Sequence, residues 1–404
     1  MMVKKILFVV PRMPGIGGIE SSLINLLNTI SKDENLEIDL CVLANQIKKR
    51  EQIPKNVKII PGSKFYEYSL TNFHENKKKF SISKKIANIF VKLIEKTFGI
   101  NFVCKLGIRM LKFDSKYDIA VSYTNDIYKN ERMIAGGAND VVVKKVECSK
   151  KIAWVHNYLN REGISRDIAL QTYSHFDSIV NVSYDSKKEF DSIVPELTSK
   201  SFVVYNMFDI ESIKELALEE QDVIKSKENI FNIVTVSRIS RKQKRIDKIL
   251  EVVKELNKNP DIKNKVRWYL VGSGQDMDFI NEMIISNRLE KQIILLGQQD
   301  NPYKFVNRAD ILVLVSDYES YGMVIKEALI LDTPVVSTSF SAAKEVLENG
   351  LNGIICSFDE NSISNSIIEI MNRDRLSSLK KYIQNNPVNN LESIKQFYSL
   401  INDL

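Results

Sequence analysis

The run Ile311-Leu-Val-Leu-Val315 constrains this chain more than any other, because an unbroken β-branched and leucine run belongs to a strand buried on both faces of a parallel sheet. It ends at Ser316-Asp317-Tyr318, so the next loop sits at the carboxyl end of a parallel strand, where open α/β sheets bind ligands. From Gly322 the pattern turns helical through Ala328-Leu-Ile-Leu331, stops at Asp332-Thr333-Pro334 and returns to strand at Val335-Val336. Glu319-Ser-Tyr-Gly-Met-Val-Ile-Lys-Glu327 thus places one carboxylate on the loop and a second inside the helix. The amides of Tyr321, Gly322, Met323 and Val324 are expected to form the helix's first turn, a terminus that attracts phosphate oxygens. Carboxylates beside a phosphate suit hydroxyls rather than the phosphate itself. The ligand that fits is a sugar joined through phosphates to a nucleotide; a plain helix with one acidic residue offsetting its dipole fits the spacing equally well.

A chain of 404 residues is too long for one ordinary core and implies two domains. Its 44% hydrophobic and 27% charged residues are those of a soluble globular protein. Cys41, Cys104, Cys148 and Cys356 are scattered, which fits a reducing cytoplasm, and His74, His156 and His175 lack metal-ligand spacing. The opening Lys4-Lys-Ile-Leu-Phe-Val-Val-Pro11 is too short in its apolar part for a signal peptide and reads as the first strand. Residues 1–205 hold 32 Lys and Arg against 22 Asp and Glu, a balance of +10, whereas the rest hold 25 against 29, or −4. The basic half should face an anionic partner, and no nucleic acid is expected.

After the first strand, Pro14-Gly-Ile-Gly-Gly-Ile-Glu20 leads into an amphipathic helix. Glycines at such a turn allow close backbone approach to a ligand, although a plain tight turn explains them as well. Strands recur at Ile38–Leu43, Val57–Ile60, Ile119–Ser122, Ile152–Val155, Ser178–Val182 and Phe202–Val204, separated by helical stretches. His156 follows its strand directly, at the carboxyl edge of the first sheet, where a capping or packing histidine is also common. Asn206 and Asp209 close the first domain, and the polar stretch Glu219–Asn229 reads as linker. A new strand, Phe231–Ser237, is followed by Arg238-Ile-Ser-Arg-Lys-Gln-Lys244, a phosphate site by charge and position or else a solvated basic loop. Val266–Val271 leads to Gly272-Ser-Gly274, and Ile293–Leu296 leads to Gly297-Gln-Gln-Asp-Asn-Pro302, where Gln298 is placed to meet a nucleobase through backbone groups.

Taken together, Gly17-Gly-Ile-Glu20, Trp154-Val-His-Asn157, Val236-Ser-Arg238 with Lys244, Gly272-Ser-Gly274, Asn301-Pro-Tyr303 and the Glu319 to Glu327 run with Ala328 make the chain resemble the family 4 glycosyltransferases, retaining enzymes of the GT-B fold. The resemblance covers most of the chain. It implies two Rossmann-like α/β domains with parallel sheets facing a central cleft: residues 1–208 for the acceptor, with the 391–404 helix packing back, and residues 209–390 for the nucleotide-sugar. It further implies that Arg238 and Lys244 clamp the donor diphosphate, Glu319 contacts the donor sugar, Glu327 holds the ribose, Gly17 and Gly18 border the phosphates and His156 lies against the transferring sugar. The donor would be a UDP-sugar, with no metal or other cofactor required. Three departures stand out. The cationic loop is one residue longer than usual, so Lys242 competes with Lys244; Ser320 replaces a glycine at the expected helix N-cap; and Ser339–Glu345 lacks paired glycines.

The implied function is transfer of a hexose or N-acetylhexosamine to a glycan or lipid-linked acceptor of cell-surface polysaccharide. A nucleotide-sugar epimerase of the same fold and a non-catalytic partner of another transferase are the alternatives. The stretch 77–116 holds eleven basic residues and only Glu95 and Asp114 as acids, interleaved with Ile82, Ile86, Ile89, Phe90, Leu93 and Ile94 at helical spacing. Such a helix lies in an anionic interface at about 1 kcal/mol per basic residue, or packs its stripe on the first sheet. The expected place is the cytoplasm, peripheral on the inner face of the membrane.

Overall fold

The structure, a computed structural model, describes residues 3–402 apart from 16, 71–81, 114 and 225–229. The chain divides into two compact units, Met1–Phe208 with Asn390–Leu404, and Asp209–Asn389. In the first, β1 (Lys4–Val10), β2 (Leu36–Val42), β3 (Lys58–Pro61), β4 (Tyr117–Ser122), β7 (Cys148–Val155), β8 (Ser178–Asn181) and β9 (Ser201–Val203) form a parallel sheet in the order β3-β2-β1-β4-β7-β8-β9. A separate antiparallel hairpin, β5 (Ile127–Lys129) and β6 (Arg132–Ala135), follows β4. In the second unit β10 (Phe231–Val236), β11 (Val266–Val271), β12 (Ile293–Gly297), β13 (Ile311–Leu314), β14 (Val335–Thr338) and β15 (Gly353–Cys356) are parallel in the order β12-β11-β10-β13-β14-β15. Both sheets reverse their strand order beside their first strand. Each reversal leaves a crevice at the carboxyl ends, between β1 and β4 and between β10 and β13.

The apolar runs form central strands because nothing in them needs water. Ile6 to Val10 and Ile311 to Leu314 are buried throughout. One polar relay crosses the second sheet: the Trp268 indole donates to Thr235 Oγ1 (2.9 Å), whose hydroxyl donates to the Val313 carbonyl (2.6 Å), so no buried donor of the three is left over. Each unit has its own apolar core, with Phe8 and Trp154 in the first and Ile233, Trp268 and Val313 in the second. The helix Leu391–Asn402 belongs to the first unit. Buried Lys150 donates to the Leu400 carbonyl (2.7 Å) and Lys4 to that of Ile401 (2.8 Å), so two cations satisfy last-turn carbonyls that have no intrahelical donor.

The basic, apolar stretch is two helices, α3 (Ile82–Phe98) and α4 (Ile100–Met110), broken at Gly99 and preceded by α2 (Lys64–Leu70); α1 is Gly18–Ile30. The expectations for Lys77, Lys78, Lys79 and Asp114, and for residues 225–229 of the Glu219–Asn229 linker, lie outside the described residues.

Candidate active site

The two loops at the reversal of the second sheet are joined by side chains that are far apart in sequence. The loop after β10 carries Arg238 to Arg245 and the loop after β13 carries Ser316 to Tyr321. Lys244 Nζ forms an ion pair with Glu319 Oε1, both side chains being well covered, at 16% and 13% exposure. Ser316 Oγ donates to the same carboxylate oxygen (2.7 Å). The Asp317 amide donates to the Gln243 carbonyl (2.9 Å) and Gln243 Nε2 to the Tyr318 carbonyl (3.3 Å), while Arg245 reaches both Asp317 oxygens (3.3 Å). On the outer side Arg241 is held by Asp276, through its amide (2.8 Å) and Nε (3.2 Å), and lies on the Phe279 ring. The backbone also needs Gly272: a Cβ there would stand 1.9 Å from the Ser237 carbonyl oxygen, so the glycine moulds the protein's own loop. Arg238 is exposed and donates to Gln243 (3.0 Å), and Lys242 is exposed beyond the pair. Of the two competing lysines, Lys244 is the one against Glu319.

The helix Met323–Ile330 starts later than its pattern suggests. Gly322 is the N-cap, at φ 80, and its left-handed turn redirects the chain, so Ser320 is not the cap and Tyr321 is a buried loop residue outside the helix. Met323 and Val324 remain in the first turn, with amides that have no intrahelical acceptor. Glu327 lies buried on this helix, and Tyr303 donates its hydroxyl to Glu327 Oε1 (3.4 Å). Burial pushes the Glu327 carboxyl up to about 7, with the Tyr303 hydrogen bond opposing it. Gln298 is exposed after β12 and accepts from Ser273 Oγ (3.3 Å).

The first unit's edge is of another kind. Gly17, at φ 124, caps α1 with open space where a Cβ would stand, Gly18 opens the helix, and Glu20 accepts from the Gly15 amide (2.7 Å). His156 is buried after β7, its ring 4.6 Å from that of Tyr123 and stacked 6.4 Å from that of Trp154. Burial pushes the imidazole down to about 3, against a smaller upward pull from the Tyr123 carbonyl that accepts from the ring. A neutral ring results, and its Nε2 has no hydrogen-bond partner among the described residues. Asn125 Oδ1 accepts from the amides of His156 (2.7 Å) and Asn157 (3.3 Å), fixing this segment. Buried Asp126 in turn ties the Gly137 amide (2.7 Å) and Asn139 (2.8 Å).

Within the second unit the structure brings together Lys244, Glu319 and Ser316 at one end of the loop-to-helix junction and Glu327 with Tyr303 inside it. Ser316, Gln243 and Asn125 were not singled out from sequence. Ser316 follows an apolar run directly, while Gln243 and Asn125 lie further along the loops after β10 and β4, and polar residues at such places are shared by many ordinary loops.

Residues 217–387 match the family described as Glycosyl transferases group 1. An uncharacterized glycosyltransferase of Methanocaldococcus jannaschii is 26% identical over 304 residues, 72% of this chain and 73% of the relative. The poly(ribitol-phosphate) alpha-N-acetylglucosaminyltransferase of Staphylococcus aureus is 25% identical over 198 residues, 48% of this chain and 39% of the relative. Among solved structures, Anabaena HepE in complex with UDP and glucose superposes with a TM-score of 0.67 at 18% identity, covering 99% of this chain and 100% of that one. That likeness is one of fold, the GT-B class. The family match falls within the second unit, Asp209–Asn389, which is similar over nearly its whole length to the glycosyl transferases group 1.

Proposed function

We propose that the chain is a retaining glycosyltransferase that takes a nucleoside diphosphate sugar, a UDP-sugar first among them, and transfers its hexose or N-acetylhexosamine to a glycan or lipid-linked acceptor of cell-surface polysaccharide. The observation that carries the reading is the Lys244, Glu319 and Ser316 cluster at the strand-order reversal of the second sheet. The sugar transferred by one relative and the nucleotide and sugar bound by a structural neighbour support the donor class.

In this reading the diphosphate draws Lys244 to its oxygens, aided by Arg238 and the first-turn amides of Met323 and Val324. Glu319, still held by Ser316, accepts from a sugar hydroxyl. Glu327 accepts from the ribose hydroxyls, where ionisation of a group poised near 7 is favoured by those new donors. Neutral His156 offers its Nε2 lone pair to a hydroxyl of the transferring sugar. Gly17 and Gly18 give the phosphates room. The bond from the anomeric carbon to the phosphate oxygen breaks, the bond to the acceptor oxygen forms on the same face, and the acceptor's proton passes to the leaving phosphate. No side chain serves as nucleophile, and orientation with exclusion of water supplies the acceleration.

The test is to incubate the protein with UDP-, GDP- and ADP-sugars and glycan acceptors, following nucleoside diphosphate release and the anomeric configuration of the product. Release with retained configuration is expected. An inverted product contradicts the mechanism, and an epimerised sugar without diphosphate release contradicts transfer altogether.

A further inference from the structure

Helix α3 presents its apolar residues outward. Ile86, Ile89, Phe90 and Leu93 are 62%, 61%, 60% and 59% exposed, whereas Asn88 and Val91 are buried. Polar bonds hold the inward side: Asn88 donates to the Tyr68 carbonyl (2.7 Å), and Ser69 (3.1 Å) and Lys92 (2.9 Å) both donate to Glu95 Oε2. The stripe therefore does not pack on the first sheet, the second of the two outcomes that its spacing allowed. Single exposed apolar side chains are ordinary, but four on one helical face are not. The face continues at the helix junction, where Phe98 meets Phe102 of α4 with ring centroids 5.1 Å apart, both rings exposed.

Charge selects what covers this face. Residues 82–112 include seven Lys and Arg and a single acid, Glu95, which Lys92 already engages. Lys96, Lys105 and Arg109 are exposed, and Lys85 and Lys96 fall beside the apolar stripe at helical spacing. A second copy meeting the face across a two-fold axis would set these cations against their own equivalents. An acidic surface that is apolar beneath meets both features at once. No helix among the described residues is long and apolar enough to cross a membrane, so the contact is one of surface insertion.

We propose that the α3 and α4 face is a docking surface for a bilayer carrying anionic lipid. Ile86, Ile89, Phe90 and Leu93 enter the boundary between headgroups and acyl chains, while Lys96, Lys105 and Arg109 meet the headgroups. This goes beyond sugar transfer and is tested without donor or acceptor. The experiment is co-sedimentation of the full chain with phosphatidylcholine vesicles, with and without phosphatidylglycerol. The parent is expected to sediment only with the acidic vesicles and to be released in part by salt. Ile89→Ser/Phe90→Ser/Leu93→Ser and Lys85→Gln/Lys96→Gln/Lys105→Gln/Arg109→Gln should each weaken binding by about tenfold or more. Phe90→Trp gives a second readout that preserves an aromatic side chain: the emission of the introduced indole should shift to the blue on acidic vesicles, while Trp154 and Trp268, being buried, stay constant. Absence of parental binding, binding that neither multiple variant weakens, an unshifted emission from the Phe90→Trp variant, or a dimer that the serine variant abolishes would each overturn the proposal.

Discussion

The two sheets reverse their strand order in the same way, yet their carboxyl edges hold opposite chemistry. At the second, Lys244 with Glu319 and Arg245 with Asp317 set opposite charges in contact. At the first, Tyr123, Trp154 and a neutral His156 form a buried aromatic group. The topology supplies a crevice twice, and the loop side chains decide what each crevice can do. Ion pairs that can exchange a carboxylate for a phosphate suit a donor's anionic part. A desolvated neutral ring suits uncharged hydroxyls.

The sharpest way to break this contrast is to remove Glu319. Glu319→Ala should lower turnover by about a hundredfold or more with a smaller change in donor Michaelis constant, because contacts at the sugar change as charge develops there; steady-state kinetics with a saturating acceptor reads this directly. Gly272→Ala comes next. A Cβ 1.9 Å from the Ser237 carbonyl should displace the charged loop and cost about 3 kcal/mol or more in denaturant unfolding. A melting curve like the parent's would mean that the loop yields freely.

The titrating groups sharpen the same contrast. Glu327, raised to about 7 from 4.5, binds its proton more tightly folded than unfolded, so its effect is to make stability fall as pH rises from about 4.5 to about 7. Glu327→Gln should remove that decline, gaining on the order of 3 kcal/mol at pH 8 over pH 4 in the ligand-free protein, and should raise the donor Michaelis constant more than it lowers turnover. His156, lowered to about 3 from 6.5, acts in the other direction: the unfolded chain binds the proton first, so stability is lost as pH falls from about 6.5 to about 3. His156→Gln should flatten that acid limb and leave the neutral limb unchanged. The smallest effect is expected from Arg238→Ala, whose exposed guanidinium should cost donor binding only several-fold, about 1 kcal/mol.

Much of the fold was legible because it is written locally. The strands at Phe231, Val266, Ile311 and Val335 are apolar runs ended by Gly, Ser or Asp, and they occur where those runs lie. β15 was not, since Gly353-Ile-Ile-Cys356 is too short and too glycine-led to stand out. Glu319, Lys244 and Glu327 could be named from position and resemblance, but the contact between Lys244 and Glu319 could not. It joins residues 75 apart and exists because β10 and β13 are neighbours across the reversal. The outward stripe of α3 was ambiguous for the opposite reason. Spacing fixes a face on a helix but not the direction in which it points, and the polar bonds of Asn88 and Glu95 to α2 decide it.

The central claim, that the charged edge of the second unit receives the donor's diphosphate, is tested most directly by calorimetric titration of UDP, GDP and ADP into the parent, Lys244→Ala and Lys242→Ala. The account predicts that one nucleotide binds the parent, that Lys244→Ala weakens it by about tenfold or more, and that Lys242→Ala leaves it within about twofold. Parental affinity in Lys244→Ala, or a loss confined to Lys242→Ala, would contradict it.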